Sequence, residues 1–243
     1  KNKKHLNRAG SVTGNLKLSD KANIWWRTAL KILKPITSFT ALHEDQLYEE
    51  AHRIPWEDLM NVDETLAVQA VLLNSNIDHS MFAALKVKDA IVDRFRNKFG
   101  SRPNVDIERP TIKVHVLITL NECTLYIDSS GDSLHRRGYR NFQHEAPLKE
   151  VLAAGMILKS GWDQNSNFID FMCGTGTLLI EAALIAKNIA PGLFRKEFAF
   201  ERWHNFNSNL WNELKEEATQ SILPNLNFRI IGCDNSSNTV NIA

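Results

Sequence analysis

Cysteine is scarce in this chain of 243 residues: Cys123, Cys173 and Cys233 stand far apart, with no paired spacing. That disfavours both a disulfide framework and a zinc ribbon, and it suits a reducing cytoplasm. No metal is therefore expected. No apolar run approaches the roughly 20 residues that a membrane-spanning helix needs, so no membrane partner is expected either. The basic opening Lys1-Asn-Lys-Lys-His5 leads into no hydrophobic signal core, which predicts a cytoplasmic location. An excess of charge is also missing. The formal net charge is +1, which by itself does not mark a nucleic-acid binder. Hydrophobic residues make up 43% and charged residues 23%, ordinary for a globular chain of one or two domains.

What is present is concentrated in one stretch. Phe168-Ile-Asp-Phe-Met-Cys-Gly-Thr-Gly-Thr177 runs from apolar residues through Asp170 into a turn with Gly174 and Gly176, and then into the apolar Leu178-Leu-Ile-Glu-Ala-Ala183. This pattern predicts a strand, a tight loop and a helix, the unit that builds nucleotide-type sites in doubly wound sheets. A phosphate-cradling loop would end in Gly-Lys-Ser/Thr, but Thr177 and Leu178 follow Gly176. A dinucleotide loop would carry a third glycine where Leu179 stands, and Asp170 would repel a pyrophosphate. S-adenosyl-L-methionine fits better. It has no phosphate, its ammonium group attracts a carboxylate, and glycines let the backbone approach closely. An ordinary strand-to-helix turn is the competing reading of so short a motif.

Phe228-Arg-Ile-Ile-Gly-Cys-Asp234 predicts a second buried strand ending in an acid, placed to accept hydrogen bonds from ribose hydroxyls. The usual distance to that acid is about 20 residues. Here Asp234 lies 58 positions beyond Gly176 (234 − 176), so an insertion is expected. Ala190-Pro-Gly192 closes the preceding helix, an aromatic stretch from Phe194 to Phe206 follows, and Leu210, Leu214, Ala218 and Ile222 then recur at helical spacing. Trp203 and Trp211 are expected in the insert's own core. Isolated His135 and His144 are expected to pack or face solvent. Cys173, with no base partner in view, reads as a small loop residue.

Upstream, residues 36–128 predict an α/β module. Ser80 is expected to cap a helix burying Ala84, Val87, Ile91 and Phe95, stopped by Gly100 and Pro103. Ile112, Val114, Val116 and Ile118 alternate as a half-buried strand, with Cys123, Leu125 and Ile127 as its partner across a turn at Asn121. Ser129 to Gly138 reads as a hinge or lid. Pro147 is expected to open a helix with a buried stripe of Leu148, Val151, Leu152 and Met156. Charge is segregated: eight acids and one arginine between Ala41 and Leu66, against six basic residues and two acids between Lys86 and Arg102. Lys86, Lys88, Arg94, Arg96, Lys98 and Arg102, with Arg136 and Arg137 further on, are the candidate phosphate contacts. A solvated helix face is the plainer reading for any one of them.

Several runs carry a resemblance. Asp128-Ser-Ser-Gly-Asp-Ser-Leu-His-Arg-Arg-Gly-Tyr-Arg140, Ala146-Pro-Leu-Lys-Glu150 and Asp170-Phe-Met-Cys-Gly-Thr-Gly-Thr-Leu-Leu-Ile-Glu-Ala-Ala183 are similar to the THUMP-domain RNA methyltransferases. Asn188-Ile-Ala-Pro-Gly192 and Phe198-Ala-Phe-Glu-Arg-Trp203 resemble the branch that methylates guanine N2 of large-subunit ribosomal RNA. The resemblance covers roughly residues 12–243. It implies a Rossmann-like S-adenosylmethionine-dependent methyltransferase domain, present in part over 129–243, a THUMP RNA-binding module over 36–128, and a ferredoxin-like remnant over 1–35. Ala22-Asn-Ile-Trp-Trp-Arg-Thr-Ala29 marks that remnant's helix, and the strands that should precede it are expected to be missing. The implied cofactor contacts are Asp170, Met172, Cys173, Gly174, Thr175, Gly176, Thr177 and Asp234, with Arg140, Ala146, Pro147 and Leu148 beside them. The implied partner is ribosomal RNA. A DNA adenine-N6 methylase and a non-catalytic RNA-binding module with a vestigial cofactor fold are the alternatives.

Methyl transfer from a sulfonium needs in-line alignment more than acid–base help, so positioning supplies much of the rate. Amino-methylating members of this class hold the amine with an Asn/Asp-Pro-Pro-aromatic loop. None of the seven prolines is followed by another, so that loop is absent from these residues. Residues 1–243 are therefore expected to hold part of a cofactor site and part of an RNA platform, without the catalytic loop. Purified residues 1–243 are expected to transfer no methyl groups to RNA. A radiolabel assay that found transfer would overturn this.

Overall fold

The computed structural model of the chain describes residues 10–11, 16–140 and 148–242. Ala146, Pro147 and His144, singled out above, lie outside the described residues. Six strands form one mixed sheet: β1 (Gly10–Ser11), β2 (Ile32–Thr40), β3 (Thr65–Leu73), β4 (Asn104–Val105), β5 (Ile112–Thr119) and β6 (Glu122–Asp128). Their spatial order is β1-β2-β6-β5-β3-β4. A strand thus does precede the first helix, α1 (Leu16–Trp25), and pairs parallel with β2, against the expectation that none would. The helix also ends at Trp25, short of the Ala29 read from the sequence.

The alternation of β5 is as expected. Ile112, Val114, Val116 and Ile118 face the core, and antiparallel β6 sets Leu125 against Val116 and Cys123 against Ile118. The connecting residues Leu120 and Asn121 have φ of 51° and 66°, the left-handed pair that a two-residue hairpin requires. Helix α3 (Ser80–Phe99) lays Ala84, Val87, Ile91 and Phe95 on this sheet, beside α2 (Glu44–Arg53). Its cap is His79, not Ser80: the extended His79 turns its Nδ1 to accept the Phe82 amide at 3.1 Å, and Ser80 is already helical. Gly100, with φ of 70°, closes the helix in the left-handed conformation that glycine adopts most easily.

The acidic and basic stretches face one another. Glu57 accepts both ends of the Arg94 guanidinium, at 2.7 and 2.6 Å, and the Lys98 ammonium at 2.7 Å. Asp45 pairs with Lys86 at 3.4 Å. Arg94 also donates to the His52 carbonyl at 3.0 Å, so it fastens α3 to α2 and its guanidinium is not free for a phosphate. The hydrogen bonds from Arg94 hold the Glu57 carboxyl far below the usual carboxylate range.

A second, two-stranded parallel sheet pairs β7 (Phe168–Asp170) with β8 (Ile230–Gly232). It is flanked by α4 (Glu150–Lys159) and α5 (Thr177–Ala186), whose Ile157, Ala182 and Ile185 form a small core. Helix α4 is turned relative to the expected stripe. Glu150, Ala153, Ala154 and Ile157 are buried, while Leu152 and Met156 are about half exposed. The alanines let α5 approach closely, and Arg140 draws Glu150 inward, with Nε 3.3 Å from Oε1.

The insert joins the two sheets. Its short turns Pro191–Phe194 and Ala199–Arg202, and helix α6 (Ser208–Gln220), pack Phe198, Phe200, Trp203 and Trp211 into the same core as α1 and the larger sheet. Phe200 meets Trp211 edge-to-face at 4.9 Å between ring centroids. Trp203 and Trp211 are core residues, as expected. At Gly192 a Cβ would lie 2.6 Å from the Ile24 Cα, so only glycine lets the insert rest on α1. A last helix, α7 (Ser237–Ile242), follows β8.

The segment read as a hinge is held on every side. Ser129 and Ser130 are fully buried, and their hydroxyls donate to the Ile32 carbonyl and the Asn23 side chain, both at 2.8 Å. Arg195 donates to four carbonyls along it, those of Ser130, Asp132, Ser133 and Arg136. Arg137, expected among the phosphate contacts, is 2% exposed and bonded to the carbonyls of Leu134 and Arg27. The basic run reads as surface because sequence does not show that these carbonyls are left without strand partners.

Glu57→Gln removes the charge that answers Arg94 and Lys98 and is expected to cost about 1–3 kcal/mol. For a chain of this size that is a melting temperature lower by roughly 2–12 °C. The folded-state pKa of Glu57 is depressed, so its contribution is complete above the unfolded value of about 4.3. The difference between wild type and variant in thermal melts should therefore shrink as pH falls below about 4.

Candidate functional site

The parallel pairing of β7 and β8 sets Phe168 beside Ile230, Ile169 beside Ile231 and Asp170 beside Gly232. Both strands therefore end at the same edge, and the acids at their tips converge. Three hydrogen bonds close that edge, two of them holding the loop from Phe171 to Gly176 that crosses it. The Cys233 amide donates to the Asp170 carbonyl at 2.8 Å, the Cys173 amide to the Cys233 carbonyl at 2.9 Å, and the Gly174 amide to Asp234 Oδ2 at 2.9 Å.

Each acid also organises its own turn. Asp170 Oδ1 accepts the Met172 amide at 3.0 Å, and among the described residues its second oxygen has no partner. Asp234 Oδ1 accepts the Ser236 amide at 2.9 Å and the Thr239 hydroxyl at 3.3 Å. The amides of Ser236 and Gly174 hold the Asp234 carboxyl below its ordinary value, which keeps it an anionic acceptor.

Gly174 and Gly176 have φ of 54° and 75°. A Cβ on Gly174 would meet nothing within 4 Å, so the loop leaves open space beside its backbone. Gly176 is the N-cap of α5 and gives it no side-chain cap, so the first-turn amides of the helix face that space. Unsatisfied amides at a helix N-terminus favour a negative group. A free carboxylate oxygen, a glycine-lined opening and an uncapped helix end together suit a ligand with an amino-acid end. The ammonium would meet Asp170 and the carboxylate the helix.

The other predicted contacts divide. Met172 and Phe171 are exposed at the rim. Cys173 is buried beneath the loop, where burial and then the two carboxylates push its thiol up, so it is not a poised nucleophile. Thr175 lies in the loop itself, between the two glycines. Thr177 is buried, and its hydroxyl accepts a hydrogen bond from Arg140. Arg140 also donates to the Leu148 carbonyl at 2.9 Å and pairs with Glu150, so this guanidinium fastens the start of α4 to the start of α5. His135 packs its Nδ1 on the Ser133 hydroxyl at 2.8 Å.

One feature of the site escaped the sequence reading. Gly232 stands at the tip of β8, where a Cβ would lie 2.3 Å from Leu179 Cδ1 and 2.9 Å from Cys173 Sγ. A glycine two residues before the acid was the available signal. From the sequence Glu181, one turn past Thr177, reads either as steadying the loop or as capping local polarity; it is fully buried on α5, accepts from Tyr139 at 3.2 Å and faces Arg137 at 3.4 Å. Nothing in an apolar helical run distinguishes a buried glutamate from one at the surface.

The remaining basic candidates lie elsewhere. Lys88, Arg96 and Arg102 line a groove of about 340 Å³ between α3 and β4, together with Asp89 and Asp93. Arg96 is half exposed but bonded to Asp93 at 3.0 Å, Lys88 lies 2.6 Å from Asp89, and Arg136 is exposed near Asp132. Among the described residues no group of His, Cys, Asp and Glu could hold a metal ion. No helix of the described residues is long and apolar enough to cross a membrane.

A module of six strands ahead of a Rossmann-like sheet with paired acids and a glycine loop defines a class, the THUMP-bearing methyltransferases. Family comparison agrees: a THUMP-domain profile matches residues 41–128, and a profile described as "RMKL-like, methyltransferase domain" matches residues 137–243. The chain thus carries a THUMP domain followed by an RMKL-like methyltransferase domain, the pair that the motifs from Asp128 to Trp203 implied.

Its relatives include the ribosomal RNA large subunit methyltransferase K/L of Syntrophotalea carbinolica, 48% identical over 218 residues, 88% of this chain and 31% of the relative. The protein of that name from Cellvibrio japonicus is 46% identical over 209 residues, 84% of this chain and 28% of the relative. The chain thus spans about a third of the length of these curated relatives.

Two solved structures share the fold. One is a predicted N6-adenine-specific DNA methylase from Listeria monocytogenes, 35% identical with a TM-score of 0.86, covering 95% of this chain and 60% of that one. The other is a putative methyltransferase complexed with SAH, 32% identical with a TM-score of 0.84, covering 95% and 61%.

Gly232→Ala would force the loop off the strand. It is expected to cost about 1–3 kcal/mol, the usual range for overpacking. Chemical denaturation should register it as a lower midpoint; a midpoint equal to wild type would contradict the packing described here.

Proposed function

We propose that this chain holds the methyl-donor site and part of the RNA platform of an S-adenosyl-L-methionine-dependent RNA methyltransferase acting on guanine N2 of large-subunit ribosomal RNA. The observation that carries the reading is the convergence of Asp170, the Gly174–Gly176 loop and Asp234 on one edge of the parallel sheet. In this reading Asp170 attracts the donor's ammonium, the α5 amides receive its carboxylate, and Asp234 accepts from the ribose hydroxyls. Met172, Cys173, Thr175 and Thr177 shape the walls through their backbone and small side chains, with Ala146, Pro147 and Leu148 beside them. The donor, when bound, supplies an electrophilic methyl group on sulfur.

The organisation proposed is a ferredoxin-like region over 1–35, the THUMP module over 36–128 and methyltransferase sequence over 129–243. The RNA partner is supported by the THUMP match and by the names of the K/L relatives. Of the basic candidates, Lys88, Arg96 and Arg102 are favoured as phosphate contacts because they share one groove, with Lys86, Lys98 and Arg136 flanking. A cytoplasmic location follows from a ribosomal substrate. The printed description of the Listeria structure favours DNA adenine as a second reading. A module that serves RNA argues against it.

Calorimetric titration of the full-length protein with S-adenosylhomocysteine tests the donor site. Wild type should bind, and Asp234→Ala should lose about 10- to 100-fold in affinity, the worth of hydrogen bonds to a charged acceptor. Total absence of heat with wild type would sink the reading and leave a non-catalytic RNA-binding module. Methylation assays of the full-length protein should favour ribosomal RNA over duplex DNA, and the opposite preference would establish the second reading.

A further inference from the structure

Two arginines from outside the glycine-loop unit reach α5. Arg27, just past α1, donates to the Leu184 carbonyl at 3.2 Å and the Ile189 carbonyl at 2.8 Å, near the far end of the helix. Arg137, in the strap after β6, lies 3.4 Å from Glu181, and the neighbouring Tyr139 hydroxyl donates to the same Glu181 oxygen. Tyr139 is fixed in turn against Phe194, edge-to-face at 6.3 Å, and a Cβ on Gly138 would lie 2.3 Å from the Phe194 carbonyl oxygen. Arg137 also bonds the Arg27 and Leu134 carbonyls, which closes the network onto the strap and the end of α1.

Glu181 is fully buried and sits one turn into α5, four residues after Thr177. Its second oxygen has no partner, and Arg27 Nη1 is likewise buried without one. Placing a carboxylate here costs desolvation, and a core glutamine or leucine would avoid most of that cost. Stability alone is therefore a weak reason for it. A charged hydrogen bond does fix direction: it ties the angle of α5 about its axis to the strap, and the loop that α5 begins moves with the helix.

We propose that Glu181 is a positioning residue: through Arg137 and Tyr139 it locks the glycine loop in register with the THUMP-side strap, and so sets the geometry of the methyl-donor site. This rests on the donor reading given above and deepens it. Glu181 touches no donor; it acts through the helix. Displacements of the order of 1 Å at a reacting centre cost about a hundredfold, which is the scale on which such a lock matters.

The test uses the full chain with Glu181→Gln and, because a buried ion pair is broken there, Tyr139→Phe, which deletes only one hydroxyl. Calorimetry with S-adenosylhomocysteine is read together with amide hydrogen exchange over 171–177, with β5 as the internal reference. Glu181→Gln is expected to weaken binding about tenfold, and Tyr139→Phe, which leaves the Arg137 pair in place, about threefold. Exchange should rise in the loop while β5 stays protected. Unchanged loop exchange in both variants would overturn the proposal, as would an equal rise in loop and β5, the mark of a merely structural role. Wild type that binds no S-adenosylhomocysteine would defeat the donor reading, and the loop exchange would still decide whether Glu181 holds the loop.

Discussion

The parallel register of two three-residue strands is the constraint on which the candidate site depends. Because Asp170 pairs with Gly232, the acid at one tip and the acid just beyond the other tip come to the same edge, with the glycine loop between them. The register itself rests on a missing side chain. Gly232 leaves room for Leu179 and Cys173 to close against β8, and a larger residue would push the loop off the sheet. Two loop amides then fix it to the end of β8, that of Cys173 on the Cys233 carbonyl and that of Gly174 on the Asp234 carboxylate.

So small a sheet cannot orient itself. Its own core is three buried residues, Ile157, Ala182 and Ile185, with partly buried neighbours. Orientation comes from the insert, whose aromatics enter the core of the larger sheet, and from the strap, whose carbonyls are gathered by Arg195 and Arg137. The long separation between Gly176 and Asp234 thus has a structural use: the insert welds the loop unit to the module that precedes it. Buried arginines suit this task because one planar guanidinium serves several carbonyls of an irregular segment at once. Burial of the third such arginine, Arg27, pushes its guanidinium pKa down to about 10.

Charge follows the same logic. The acidic run of Ala41–Leu66 and the basic run of α3 looked like two separate surfaces, yet Glu57, Arg94 and Lys98 answer one another across the α2–α3 packing. Segregation along the chain became complementarity in space. The groove beside α3 repeats the pattern, with Asp89 and Asp93 lining it beside Lys88, Arg96 and Arg102.

Periodicity settled β5, β6 and α3 from the sequence, because alternation and helical spacing are local and the residues that carry them are unambiguous. The two acids and the glycine loop were legible for the same reason: φ above zero and close approach select glycine whatever surrounds it. The THUMP and methyltransferase domains were legible too, through runs of motif too long to recur by accident. Tertiary structure alone decided which charges are buried, which face of α4 is turned inward, and whether the strap moves. Those outcomes depend on partners more than a hundred positions away, as when Arg137 meets the Arg27 carbonyl. Desolvation acts on what surrounds a group in space, and a chain read one residue after another does not contain that neighbourhood.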